Sequence, residues 1–260
     1  MASYLYAFTL NTAEQPDLFY SEDEKLRLES VLEELERRQA PVDDNGFFDG
    51  EGFGQIERVR LGNTEAICAF CVTSSSLGYY NEAKIRDNSF TTEKRQHKYY
   101  TKSTIFLTEN SEFIVMFDNS MEERAKSGVK KQIELLGFDM ETFYIEDQLI
   151  RNIQIEGFPW HAATFNKIVK HGDSTRRVSF AIDPANSEDP SLVQQHYSDH
   201  GEMSHIKFDL PFNPDEPPHS ITVTLYSDKN RIIINENEFQ NTQKFYDFVV
   251  YLLNKLRELK

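Results

Sequence analysis

Residues 65–73 read EAICAFCVT, a mostly apolar run with polar residues on both sides. A short apolar run bounded in this way is typical of a central, buried strand. Cys68 and Cys71 lie within it, and side chains three residues apart on a strand point to opposite faces. A redox pair usually opens a helix instead. We therefore predict a central strand that carries two buried structural thiols.

A long polar stretch, residues 74–98, follows this strand, and we predict that it forms a loop. Loops of this length are usually functional or mobile. The chain as a whole has a formal charge of −15, but between Lys84 and Lys102 the bases outnumber the acids Asp87 and Glu93. The bases in this interval are Lys84, Arg86, Lys94, Arg95, Lys98 and Lys102, and Tyr79, Tyr80, Tyr99 and Tyr100 flank them.

This combination of bases and tyrosines is typical of a site that binds a polyanion, most often nucleic acid. Cations neutralise phosphates, and aromatic rings stack on unpaired bases. We expect phosphate contacts from Lys94, Arg95, Lys98 and Lys102, and stacking by Tyr99 or Tyr100. A second basic cluster would extend the surface if it shared the same face: Lys167, Lys170, Arg176 and Arg177. The alternative is a solvated loop with tyrosines half-buried in a sheet.

Hydrophobic periodicity predicts the elements on either side. Strands are predicted at residues 4–10, 104–108, 112–117, 177–182, 206–210, 221–226 and 231–234, and residues 142–155 are expected to be extended. Helices are predicted after the capping boxes Ser21/Glu24 and Ser120/Glu123, at 161–170, and at about 242–259 with Asn241 as N-cap. Strands thus come in hairpins with helices between them. This order predicts an α+β fold of mostly antiparallel sheets, packed by helices that include a long C-terminal one.

The chain is long enough for one large domain or two ordinary ones. A hairpin ends and a capped helix begins near Asn119, which predicts an N-terminal α+β domain, residues 1–118, that contains the basic loop. Residues 119–260 would form a C-terminal α+β domain. A single merged domain is the alternative.

The order of elements resembles that of the RexA-type phage-exclusion proteins. The shared order is an amino-terminal strand and helix, a central hairpin followed by a helix, further strands, and a terminal helix. This resemblance implies a bacterial or phage accessory or defence protein, and no residue role is carried over from it.

Three histidines lie close together, at His196, His200 and His205, and are interleaved with Asp199 and Glu202. Histidine nitrogens and nearby carboxylates can complete a Zn²⁺ or Mn²⁺ shell. A metal-dependent hydrolase or nuclease is therefore one alternative function. Tyr197, however, occupies the position at which a zincin has its glutamate. The alternative interpretation of the three histidines is that they lie in an exposed polar loop. No motif names a reaction, so the leading hypothesis is a non-enzymatic binding protein without a cofactor.

Two acidic regions support a third hypothesis, an acidic subunit that binds a basic protein. Residues 1–57 hold fourteen acids and four bases, and residues 181–219 hold eight acids and only Lys207. The wide apolar face of the C-terminal helix is a further candidate for a protein partner or a homo-oligomer. No apolar run approaches the length of a membrane span, and the two cysteines form no disulfide framework. We therefore expect a cytoplasmic protein that does not contact a membrane.

Overall fold

The computed structural model describes residues 2–12, 16–184, 191–212 and 219–260, and they fold into two compact units. The first unit contains the chain up to Phe8, Leu61–Asn63 and Thr142–Lys260. The second unit contains Thr9–Arg60 and Thr64–Glu141. The chain therefore passes between the units more than once. The domain boundary expected near Asn119 stays a prediction.

Both units are built from strands joined mostly by short turns, with helices between them. The strands are β1 Ala2–Thr12, β2 Gly52–Leu61, β3 Thr64–Arg86, β4 Ser89–Thr108, β5 Glu112–Phe117, β6 Phe138–Thr142, β7 Trp160–Asn166, β8 Val178–Ala181, β9 Glu202–Phe212, β10 His219–Tyr226 and β11 Arg231–Asn235. The helices are α1 Pro16–Phe19, α2 Leu28–Arg37, α3 Lys126–Glu134, α4 Asp147–Ile155, α5 Leu192–Tyr197 and α6 Thr242–Glu258. Short 3-10 turns occupy Glu122–Ala125 and Glu236–Glu238.

The sheet of the first unit has the strand order β1-β11-β10-β9-β7-β8. Each neighbouring pair in this order is antiparallel. The C-terminal helix α6 buries Phe248, whose ring lies 5.1 Å from that of Phe212 on β9 and 5.3 Å from that of Phe239. The prediction of a mostly antiparallel sheet with a C-terminal helix is confirmed.

The second unit contains the strand order β2-β3-β4-β5, with β3–β4 and β4–β5 antiparallel. The first half of β3 is buried and forms the predicted central strand. Helix α3 packs closely on β3, because a Cβ atom at Gly128 would stand only 3.1 Å from Cβ of Thr73. A side chain at this position would therefore crowd Thr73. No helix in the described ranges combines the length and apolar composition of a membrane span.

The predicted helix start at Ser21 is wrong, and α2 begins only at Leu28. Ser21 instead closes a turn: its hydroxyl accepts from the Lys25 N–H at 3.2 Å, and Glu24 adopts a φ of +60°. The side chain of Asn119, and not that of Ser120, accepts backbone hydrogen bonds at the turn before α3. A serine or asparagine that prefers helix caps also prefers turns, so the sequence pattern does not separate the two.

Two further predictions are corrected between residues 142 and 170. The segment expected to be extended contains helix α4, which buries Leu149, Ile150 and Ile153. The helix expected at 161–170 is largely strand β7, which lies between β8 and β9. β7 is bonded on both edges, so sheet pairing overrides the weak local preference of its residues.

Candidate nucleic-acid interface

The polar stretch predicted as a loop is a long two-stranded hairpin. Strands β3 and β4 pair from Ala66↔Thr108 to Arg86↔Ser89, and Asp87 and Asn88 form the turn between them. We call residues 74–102 the arm, because none of them is buried, whereas Thr73 and Ser103 at its root are. The loop interpretation failed because hydrogen bonds across the hairpin order a polar segment that has no hydrophobic period.

Side chains alternate between the two faces of the arm, and paired residues share a face. The pairs Lys94↔Asn81, Lys98↔Ser76 and Lys102↔Val72 place three lysines on one face. A bulge between Ser76 and Gly78 shifts the register of β3 by one residue. Beyond it Tyr79, Ile85 and Phe90 join this face, which also holds Tyr100. We call it the lysine face.

The lysine face carries positive charge and no acid. In the described part of the chain, none of Lys94, Lys98 and Lys102 forms an ion pair with a carboxylate. The ammonium group of Lys94 lies 5.2 Å from the ring centroid of Tyr79, and that of Lys102 lies 4.3 Å from the ring centroid of Phe70. Cation–π contacts of this kind hold the lysine side chains in place and leave their positive charge available to an anion.

The opposite face, which we call the paired face, neutralises its own charges. Lys84 forms an ion pair with Glu93. Glu82 accepts from Nη1 of Arg95 at 3.0 Å and lies 2.7 Å from Nε2 of His97. The remaining predicted residues that point this way are Arg86, whose Nε lies 3.8 Å from an Asp87 carboxylate oxygen, and Tyr99. The structure therefore separates the predicted basic residues into a free set and a paired set.

Glu51 anchors the root of the arm within the second unit. Its carboxylate accepts from the backbone N–H of Ser74 at 3.0 Å and from the Ser74 hydroxyl at 2.5 Å. It also accepts from Nε2 of Gln132 on α3 at 3.0 Å. The hydrogen bonds from Ser74 lower the pKa of the Glu51 carboxyl below its ordinary value of 4.5. The arm therefore starts at a fixed position.

The second basic cluster belongs to the first unit, and both of its lysines have local partners. Nζ of Lys167 lies 2.6 Å from a Glu202 carboxylate oxygen. Lys170 contacts the ring nitrogens of His196 at 3.0 Å and donates to the His196 carbonyl at 3.1 Å. Arg176 and Arg177 are exposed. The two predicted clusters thus lie in different units, and the arm is the one that places its lysines in a row along one face.

The three histidines of the metal hypothesis have different surroundings. His196 lies on α5 beside the Lys170 ammonium group, and His200 is exposed. The ring of His205 on β9 lies 4.6 Å from that of Tyr226, tilted by 38°. Burial, together with the positive charges of Arg177 and Arg231, lowers the pKa of His205. The described residues include no group of three or more His, Cys, Asp or Glu side chains placed to hold a metal ion.

Both cysteines are free and buried, as the sequence predicts. Burial raises the pKa of the Cys68 thiol to about 12, and the same cause raises the pKa of Cys71. A thiol that stays protonated is a poor nucleophile. The prediction that both thiols are buried is confirmed.

The wide apolar face of α6 is largely used within its own unit. Val250, which lies beside the main apolar stripe, is 5% exposed, and the stripe itself is buried from Phe245 to Leu256. Tyr251 is the most exposed apolar side chain of the helix, and its hydroxyl donates to the Pro211 carbonyl at 3.1 Å. The partner surface proposed for this helix stays a prediction.

Sequence reasoning missed three residues of the lysine face, namely Tyr79, Ile85 and Phe90, as site residues. The even numbers of Lys94, Lys98 and Lys102 were the available signal, since residues two or four apart on a strand share a face. That signal has meaning only once the segment is known to be a strand. No protein-family model matches the chain, and no curated protein matches it in sequence.

Proposed function

We propose that this protein binds nucleic acid through the lysine face of the arm. The observation that carries the proposal is the sorting of charge on the hairpin: three lysines without carboxylate partners in the described residues lie on one face, and Glu82 and Glu93 lie on the other. Most contacts between proteins and nucleic acids are made to phosphate oxygens by such side chains.

The spacing of the lysines suits an extended polyanion. Lys94, Lys98 and Lys102 follow one another at four-residue intervals, which on a strand is about 13 Å per step. The outer two are thus about 26 Å apart, farther than the Debye length of roughly 8 Å at physiological salt. A compact anion would meet one lysine at a time, whereas a nucleic-acid backbone lying along the arm meets all three.

The arm also concentrates positive charge in a chain that is otherwise acidic. It holds six bases and three acids, so with a total charge of −15 the remaining residues carry −18. From Ser74 to Arg86 an extended strand covers about 40 Å. Salt screens repulsion over much shorter distances. The arm can therefore contact a phosphate backbone although the protein as a whole is strongly acidic.

Binding to a labelled duplex and a labelled single strand, measured by fluorescence anisotropy over a range of salt concentrations, tests the proposal. Three phosphate contacts predict a slope of log K against log salt of about −2.7 for a duplex and about −2.1 for a single strand. The variant Lys94→Gln/Lys98→Gln/Lys102→Gln should lose most of this slope and bind at least about tenfold more weakly at low salt.

The paired face supplies a matched control. The variant Lys84→Gln/Arg86→Gln/Arg95→Gln removes the same formal charge from the same hairpin. Because these bases already have carboxylate neighbours, it should keep the wild-type slope and bind within about threefold of wild type. Equal weakening by the two triple variants, or salt-independent binding by the wild type, would overturn the proposal.

A further inference from the structure

The tip of the arm carries an exposed apolar pair. Ile85 and Phe90 face each other directly across β3 and β4, next to the two-residue turn. Ile85 is 67% exposed and Phe90 is 86% exposed. Such cross-strand pairs of an aromatic and a β-branched residue stabilise a hairpin slightly, but the outer surfaces of both side chains remain in water.

The turn does not depend on this pair. Asp87 and Asn88 have φ values of +50° and +61°, the conformation that a two-residue hairpin turn requires. The hydroxyl of Ser89 donates to the Arg86 carbonyl at 2.8 Å and closes the turn further. The apolar pair therefore remains available for a contact outside the chain.

The pair lies on the lysine face. By the register of the hairpin, Ile85 and Phe90 share a face with Asn81 and Lys94, and Phe90 precedes Lys94 by four residues. A ligand that meets the lysines along its backbone therefore also meets an isoleucine and a phenylalanine at one end of the contact. Apolar side chains beside phosphate-binding ones are the arrangement by which proteins unstack and kink a duplex.

We propose that the ligand is duplex DNA and that Ile85 and Phe90 insert between two base pairs and bend it, while the three lysines hold the backbone. This inference rests on the proposed function. Two strands side by side are narrow enough to enter a groove of the duplex. Inserting the pair removes its apolar surface from water, which offsets the unstacking of one base step.

Two other ligands fit the same residues less well. A membrane would take up the tip end-on, which leaves Lys98 and Lys102 about 26 Å and about 40 Å behind Phe90, beyond the range of a charged surface at physiological salt. A single strand would need free aromatic faces. On the lysine face Phe90 offers one exposed ring at the tip, and Tyr100 near the root is half-buried. Between them Lys94 covers one face of Tyr79, and Ile85 offers no ring, so successive bases have no continuous row of rings on which to stack.

The test is bending of an end-labelled duplex of about 30 base pairs, measured by energy transfer between the two labels. The wild type should raise the transfer efficiency, most strongly with a central TA step, because pyrimidine–purine steps unstack easily. The variant Ile85→Ser/Phe90→Ser should keep the salt slope of the lysines, bind roughly tenfold more weakly, and leave the duplex straight.

The outcomes separate this inference from the proposed function. Lysine-dependent binding without bending, or a preference for a single strand of the same length, would overturn the inference and leave the proposed function intact. If the wild-type protein bound neither duplex nor single-stranded nucleic acid, both the proposed function and this inference would be overturned. Binding of phosphatidylserine vesicles that requires Ile85 and Phe90, with no bending of DNA, would identify the tip as a membrane contact and would also overturn the inference.

Discussion

Alternation of side chains along an extended backbone determines which charges of the arm can meet a ligand. Lys94 and Arg95 are neighbours in sequence, yet only Arg95 lies on the face that holds Glu82, and it forms an ion pair there. Lys94 contacts the ring of Tyr79 instead. The charge of a residue follows from its identity. Whether that charge is available to a ligand depends on the face of the hairpin on which the side chain lies. One position along the strand is enough to change that face.

The carboxylate of Glu51 provides a prediction that depends on one residue. Hydrogen bonds from Ser74 hold its pKa below 4.5. The stabilisation that these bonds provide is therefore complete above the ordinary pKa and is lost as the pH falls through the lowered one. In an NMR titration, the amide proton of Ser74 should follow this ionisation with a midpoint below 4.5. The titration should disappear in Glu51→Ala, and a midpoint at or above 4.5 would contradict the assignment.

Helix α6 shows how far a single element can be predicted from its own sequence. Its apolar residues keep helical spacing over seventeen residues, and Asn241 precedes them. The side chain of Asn241 accepts from the Lys244 N–H at 2.9 Å, as the sequence predicts for an N-cap. The helix and its N-cap could both be predicted from the sequence, because each depends on residues that lie within one turn of each other.

This cap should make a measurable contribution to stability. Replacing Asn241 by Ala leaves an N–H group at the start of α6 without its acceptor and should lower the free energy of unfolding by about 1 kcal/mol. Urea denaturation followed by circular dichroism measures the difference. Asn254→Ala is the matched control, since Asn254 is exposed in the interior of the same helix. Equal effects of the two substitutions would show that the capping bond contributes nothing.

The arm is an element whose existence could not be predicted in this way. Its strands contain polar and charged residues on both faces, so there is no apolar period to indicate a strand. The hairpin forms because β3 and β4 are already paired in the buried part of the sheet, from Ala66↔Thr108 outward. Each further pair then adds hydrogen bonds to an existing ladder.

In the whole molecule, the arm has little part in the packed core of the second unit. No residue between Ser74 and Lys102 is buried, whereas the adjoining residues Thr73 and Ser103 are 1% and 3% exposed. The hydrophobic stabilisation of the unit should therefore not depend on the arm, because burial of apolar surface is the main source of that stabilisation.

Excision of the arm tests this separation. Replacing residues 76–98 by Asn-Gly joins the pair Ser75↔Tyr99 through a two-residue turn and keeps the register of the remaining hairpin. The free energy of unfolding should change by less than about 1 kcal/mol, because no buried side chain is removed. Nucleic-acid binding should be lost. If the truncated protein unfolded, or if it still bound nucleic acid with the wild-type salt slope, the arm would not be a binding element independent of the folded core.

The sequence by itself determined the elements that depend on local interactions: the central strand with its buried cysteines, the hairpins at 104–117 and 221–234, and the capped C-terminal helix. It also identified the interval of bases and tyrosines. Only the tertiary structure decided that this interval is an extended hairpin, and that Lys94, Lys98 and Lys102 share a face with Ile85 and Phe90. The physical reason is that strand pairing and its bulge involve residues distant in sequence. A side chain's face follows from that register and not from its neighbours in the chain.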